Sequence, residues 1–153
     1  MIRSLLILVL TPLFLLASCG DEGDIVTIPF VAGTVAGEDW QLQYGRASLD
    51  NRDRELTVDL YSRAEVSPNA CQIVSTGNSS LRLVTPITVG NYSIPSLSAN
   101  LFFEQPNSLQ SFQATSGFID VIEVIGNRVT GVIQANFDDD NEVEGRFIAE
   151  ICN

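Results

Sequence analysis

Past residue 25 the chain consists of short apolar runs separated by clusters of Gly, Asn, Asp, Ser and Pro. No stretch there sustains the 3.6-residue period of a surface helix, so the pattern predicts strands joined by turns. The clearest alternation is Leu56, Val58 and Leu60 against Thr57, Asp59 and Tyr61, a strand with one core face and one wet face. Trp40, Leu42 and Tyr44 alternate in the same way with Gln41, Gln43 and Gly45, after a turn expected at Glu38-Asp39. Ala47 to Leu49 extends that strand past a bulge. Val26 to Val35 reads as one or two strands, with Pro29 at an edge or bend. Leu81 to Thr85 and Leu101 to Glu104 add two more. Leu101-Phe102-Phe103 must place a large apolar side chain on each face of the second.

The last third predicts a three-strand meander over Gly117 to Ile125, Val129 to Phe137 and Val143 to Cys152. Gly126-Asn127 is a two-residue hairpin signal that sets Val124 opposite Val129 and Ile122 opposite Gly131. The second turn, Asp138-Asp139-Asp140-Asn141-Glu142, sets Phe137 opposite Val143, Ile133 opposite Phe147 and Gly131 opposite Ala149. One face is then consistently apolar, which fixes the register. The expectation is an all-β fold, an antiparallel sandwich or flattened barrel of about 8–10 strands, formed by a single domain over 26–153.

Charge narrows the chemistry more than composition does. The net charge is −11, with eight Arg, nineteen Asp and Glu, no Lys and no His. An anionic body argues against nucleic acid and against lying flat on anionic lipid. The missing His and Lys exclude Ser-His-Asp and Cys-His catalysis, His-ligated zinc, Schiff-base lysine and the phosphate-loop Lys. No cofactor is implied.

Met1 to Arg3 supplies a positive charge, and Leu5 to Leu16 is almost wholly apolar, broken by Thr11 and Pro12. That is the layout of a secretory signal, and the run is short for a membrane span of roughly 20 residues. The segment Leu16-Ala17-Ser18-Cys19 resembles the lipobox of bacterial lipoproteins. The resemblance implies a signal peptide over 1–18, removed before Cys19, and a lipid on the Cys19 sulfur that anchors the chain through its acyl groups. Residues 19–25 then form an acidic, flexible tether. Acidic residues directly after the lipid-bearing cysteine also resemble the surface-export signal of Bacteroidota lipoproteins. Ala32 to Trp40, Val89-Gly90-Asn91-Tyr92, Ser116-Gly117, Arg128 to Gly131 and Glu144 to Phe147 look like the strand and turn signatures of a group of small β-rich Bacteroidota lipoprotein domains of unknown function. That resemblance implies a fold and an envelope address, in the outer membrane with exposure at the cell surface as the further expectation, and it carries over no functional residues.

With Cys19 lipidated, Cys71 and Cys152 remain. In an oxidising compartment they read as one disulfide, the alternative being two free thiols.

Three groups of side chains are candidates for a site. Asp138, Asp140 and Glu142 offer oxygen ligands for Ca²⁺, although Val143 stands where a calcium loop needs Gly; a solvated hairpin turn is the commoner use. Trp40, Tyr44 and Tyr61 could stack on a sugar ring or simply pack in the sheet. Glu144, Glu150, Asp120 and Asp59 could supply a glycosidase-like carboxylate pair, or merely line a wet face. The leading expectation is a non-enzymatic, envelope-anchored module that binds a protein partner or a glycan. The alternatives are a structural or assembly accessory without a small-molecule site and, last, a carboxylate-based hydrolase.

Overall fold

The computed structural model describes residues 27–50, 52, 54–62, 70–72, 79–105 and 111–152. Eleven strands form a single sheet. They are β1 (Ala32–Val35), β2 (Glu38–Gln41), β3 (Tyr44–Asp50), β4 (Glu55–Tyr61), β5 (Ser80–Pro86), β6 (Gly90–Ile94), β7 (Asn100–Glu104), β8 (Ser111–Gln113), β9 (Ser116–Ile125), β10 (Arg128–Asn136) and β11 (Glu142–Ile151). A single 3-10 turn, Ala70–Gln72, is the one helical piece among the described residues. The domain is therefore all-β, as the alternation predicts. The count exceeds the expected number because the β1–β2 hairpin and the three-residue β8 are separate short elements.

The main path of the sheet runs β6-β9-β10-β11-β3-β4-β5-β7-β8, and the β1–β2 hairpin joins it through β11. Every ladder is antiparallel except β11–β3, where Glu150 pairs with Arg46 and Ile151 with Ala47 in parallel. The free side of β11 is divided. Its first residues pair with β1 (Ala32 with Glu144), Arg146 bonds to the backbone of Pro29 and Val31, and its last two residues pair with β3. The sheet curls into a half-barrel and encloses one apolar cluster. Leu56, Val58 and Leu60 of β4 face Leu81 and Leu83 of β5, Leu101 of β7, Ile119 and Val121 of β9, and Ile133 and Phe147 of β10 and β11, all fully buried. At roughly 1.5–3 kcal/mol per buried side chain this cluster is the main source of stability.

Four local expectations are corrected. The first turn falls at Ala36-Gly37, not at Glu38-Asp39: Val35 pairs with Glu38, and φ is +53° at Ala36 and +75° at Gly37. Two consecutive positive φ values match the right-handed twist of a two-residue hairpin, which is why a glycine sits there. Tyr44 does not share the face of Trp40 and Leu42. The chain breaks phase at Leu42-Gln43 between β2 and β3, so Gly45 and Ala47 turn inward and Tyr44 and Arg46 turn outward. Gly131 lies opposite Val121, because a bulge between Thr130 and Gly131 leaves Ile122 unpaired.

The fourth correction is the β10–β11 register, shifted by two residues to Ala135 with Val143, Ile133 with Gly145 and Gly131 with Phe147. The cause is a tighter turn: the Phe137 N–H donates to the Asn141 carbonyl at 2.8 Å, which confines the tip to Asp138-Asp139-Asp140. A shift of two keeps the buried face, so the expected core residues stay inside. The hairpin at Gly126-Asn127 forms where expected, with Val124 opposite Val129.

Candidate functional site

The outer face of the sheet carries an ordered row of charge. Arg128, Glu150, Arg46, Asp59 and Arg82 occupy one register row across β10, β11, β3, β4 and β5. Neighbouring strands are about 4.8 Å apart, so opposite charges alternate at side-chain reach. Asp59 is the hinge of this row and is only 8% exposed. It accepts from Arg46 Nε and Nη2 at 3.3 Å and from Arg82 Nε at 2.8 Å. Arg82 reaches on with Nη1 to Glu104 Oε1 at 2.7 Å. Partial burial works against the charge of Arg82, but the hydrogen bond to Asp59 and the charges of Asp59 and Glu104 outweigh it and hold its pKa above the ordinary guanidinium value. Replacing Asp59 with Asn removes the charge that two half-buried guanidiniums share. We expect Asp59→Asn to lower stability by about 2 kcal/mol in urea denaturation, since hydrogen bonds to charged groups contribute roughly 1.5–3 kcal/mol.

Beside the row stands an aromatic pair. Tyr44 and Tyr61 face each other across β3 and β4 and stack with ring centroids 4.8 Å apart and planes 18° apart. The Arg46 guanidinium lies 5.6 Å from the Tyr61 ring centre, on the scale of a cation–π contact. Tyr61 is 2% exposed, which leaves its ring no face for a ligand, while Tyr44 is half-buried at the rim. Trp40 is 3% exposed and belongs to the core. Of the three aromatic candidates, Tyr44 is the one that meets open space.

That space is a groove of about 310 Å³ over the β11–β3 seam. Tyr44, Asn127, Arg128, Ile148 and Glu150 line it, with Gly45 closing its floor. The seam is open because β3 and β11 run in register for only two residues. Gly45 lets the strands approach there: a Cβ at this position would stand 2.9 Å from the Ile148 carbonyl oxygen. Asn127 Nδ2 donates to Glu150 Oε1 at 3.2 Å, so the turn side chain and the strand carboxylate are already linked. Arg128 is exposed and forms no salt bridge among the described residues.

A second hollow, of about 190 Å³, lies beside Arg46 and Asp59 against the cysteines. Cys71 and Cys152 are bonded, with Cα atoms 5.4 Å apart, the single disulfide that the sequence predicts. The bridge pins the 3-10 turn to Cys152, the residue after β11, whose N–H donates to the Ala47 carbonyl at 2.7 Å.

The acidic tip uses its oxygens on its own backbone. Asp138 Oδ1 accepts from the Asp140 N–H at 3.0 Å and from Asn141 Nδ2 at 2.7 Å. These bonds, the backbone one first, hold the Asp138 carboxyl below its ordinary value. Its folded pKa being depressed, the turn's contribution is present above the ordinary carboxylate range and is lost as pH falls through the lowered value. An NMR titration should place the Asp138 midpoint below the ordinary aspartate value, and Asn141→Ala should move it back toward that value. Asp140 and Glu142 do not join Asp138 in a cluster: among the described residues no group of three or more His, Cys, Asp or Glu could hold a metal ion.

The carboxylates offered as a hydrolytic pair are spread out. Glu144 and Glu150 are six residues apart on one strand, about 20 Å, well beyond the roughly 5–9.5 Å of a glycosidase pair. Asp120 lies two strands from β11, in the row of Val132 and Arg146, and Asp59 is held between two arginines. The lipobox and Cys19 lie outside the described residues.

The sequence signal missed Arg46, Arg82 and Arg128. Each occupies a wet position of its own strand, and their relation exists once the strands are in register.

The fold and site define an all-β half-barrel with a polar, aromatic-edged groove on its outer face. No protein-family model matches this chain, and neither a curated protein nor a solved structure matches it.

Proposed function

We propose that this chain is an envelope lipoprotein, tethered through lipidated Cys19, whose β body is a non-enzymatic binding module. The groove at the β11–β3 seam is the observation that supports a binding role. It is concave and open, it brings Tyr44, Asn127, Arg128 and Glu150 to one place, and its charged groups are not paired carboxylates at a hydrolytic spacing. Sites of this kind combine an aromatic or apolar wall with a few convergent polar groups. The apolar leader, the lipobox-like segment and the acidic residues after Cys19 support the address.

Two measurements test the reading. Cys19→Ala should move the protein from the membrane fraction to the soluble fraction and abolish acyl labelling; unchanged fractionation would remove the anchor. A pull-down from detergent-solubilised envelope, with the full chain as bait, should enrich either one stoichiometric protein or a polysaccharide. Recovery of neither would count against a binding module. A large stoichiometric assembly insensitive to changes in the groove would favour a structural accessory instead.

A further inference from the structure

We propose that the seam groove is a subsite for one neutral sugar ring of a glycan. This rests on the binding-module reading and names its ligand class. Four observations converge on it.

The first is shape. At about 310 Å³ the groove lies at the small end of ligand sites, room for one ring rather than a long segment of polymer. The second is the aromatic wall. Tyr44 is backed by Tyr61 at 4.8 Å, and Tyr61 in turn lies against the Arg46 guanidinium, so the Tyr44 ring is held before any ligand arrives. A preset ring loses little conformational freedom on binding. Its apolar face suits the C–H face of a pyranose, and Ile148 extends that apolar surface.

The third observation is the polar complement. Asn127, Glu150 and Arg128 supply an amide, a carboxylate and a guanidinium. Hydroxyl groups both donate and accept, so a vicinal pair can give a hydrogen bond to Glu150 while taking others from Asn127 and Arg128. Charge-assisted bonds of this kind are the strong ones. The fourth is net charge. Arg128 and Glu150 cancel within the groove, and the whole chain carries −11, so an acidic polysaccharide meets repulsion with no local surplus of cations to offset it.

The test is affinity electrophoresis of the detergent-solubilised full chain in native gels containing mannan, dextran or galactomannan, with polygalacturonate as the acidic comparison. Retardation by at least one neutral polysaccharide is expected. Asn127→Ala and Arg128→Ala are exposed changes in a turn and at a strand end, and their melting should match the parent. Each should weaken retardation about tenfold, the loss of one good hydrogen bond. Tyr44→Leu should abolish it. No retardation by any of the three neutral polymers, retardation by polygalacturonate alone, or retardation unchanged in all three variants would overturn the sugar subsite. A stoichiometric protein recovered in the envelope pull-down alongside such a failure would leave the binding module standing with a different ligand. Failure of both experiments would remove both readings.

Discussion

Phe147→Ala is expected to destabilise the domain by about 3–5 kcal/mol, the usual cost of emptying a fully enclosed aromatic position. Phe147 is completely buried and lies opposite Gly131 on β10. The ring occupies the room that glycine leaves: a Cβ at Gly131 would come within 2.5 Å of Phe147 Cζ. Truncation therefore opens a void on both strands at once, and the neighbouring main chain of β10 has no side chain to lean in and fill it. Against a typical total of roughly 5–15 kcal/mol, that is a large share of the stability. The urea midpoint should fall steeply with the m-value unchanged. Phe102→Ala supplies the control. Its ring lies on the half-buried outer face opposite Arg82 and Gln113, and its loss should cost well under half as much. Equal losses from the two changes would contradict the assignment of Phe147 to the core.

The second large effect is expected from removing the bridge. Cys71 and Cys152 are 81 residues apart in sequence, so their bond restricts a long loop in the unfolded chain. The loop-closure argument gives roughly 4 kcal/mol, and for a domain of this size the melting temperature should drop by on the order of 10–15 °C. Cys71→Ala/Cys152→Ala should show that drop, and a reducing agent should produce the same drop in the parent and none in the double variant. A reductant effect that persists without the two cysteines, or a double variant melting with the parent, would contradict the account.

The parts of this structure that could be read in the sequence are those fixed by burial. Leu56, Val58 and Leu60 alternate because one side of β4 is dry, and the meander shows the same signal over β9 to β11. The bridge was legible from cysteine number once one cysteine was assigned to lipid. Errors arose where a local choice left the burial pattern intact. A shift of two residues in the β10–β11 ladder buries the same face, so hydrophobicity could not reject it; what decides it is the backbone bond from Phe137 to Asn141. The Ile122 bulge was hidden because both Val121 and Ile122 are apolar. The change of phase before Tyr44 carries no Gly or Pro to mark it.

The site was least legible. Tyr44 was singled out together with Trp40 and Tyr61, and burial now separates the three. Arg128, Glu150, Arg46, Asp59 and Arg82 come from five strands and form a row only through pairing, including a parallel pair between β11 and β3 that short-range patterns do not suggest. The scarcity of cations was the available hint: with eight arginines and no lysine in the chain, three arginines at outward positions of mid-sheet strands ask for carboxylate neighbours.

The divided edge of β11 carries a consequence for assembly. Among the described strands, β11 is the sole connection between the β6-β9-β10 group, the β3-β4-β5-β7-β8 group and the β1–β2 hairpin. Synthesis from the N terminus delivers those three pieces first and their common neighbour afterwards. Until residues 142–151 emerge, β10 presents a row of unsatisfied amides and carbonyls, a surface on which chains can mispair. Arrival of β11 and closure of the sheet are thus coupled events, and a chain cut short before β11 would be three sticky fragments on one string rather than a smaller version of the domain.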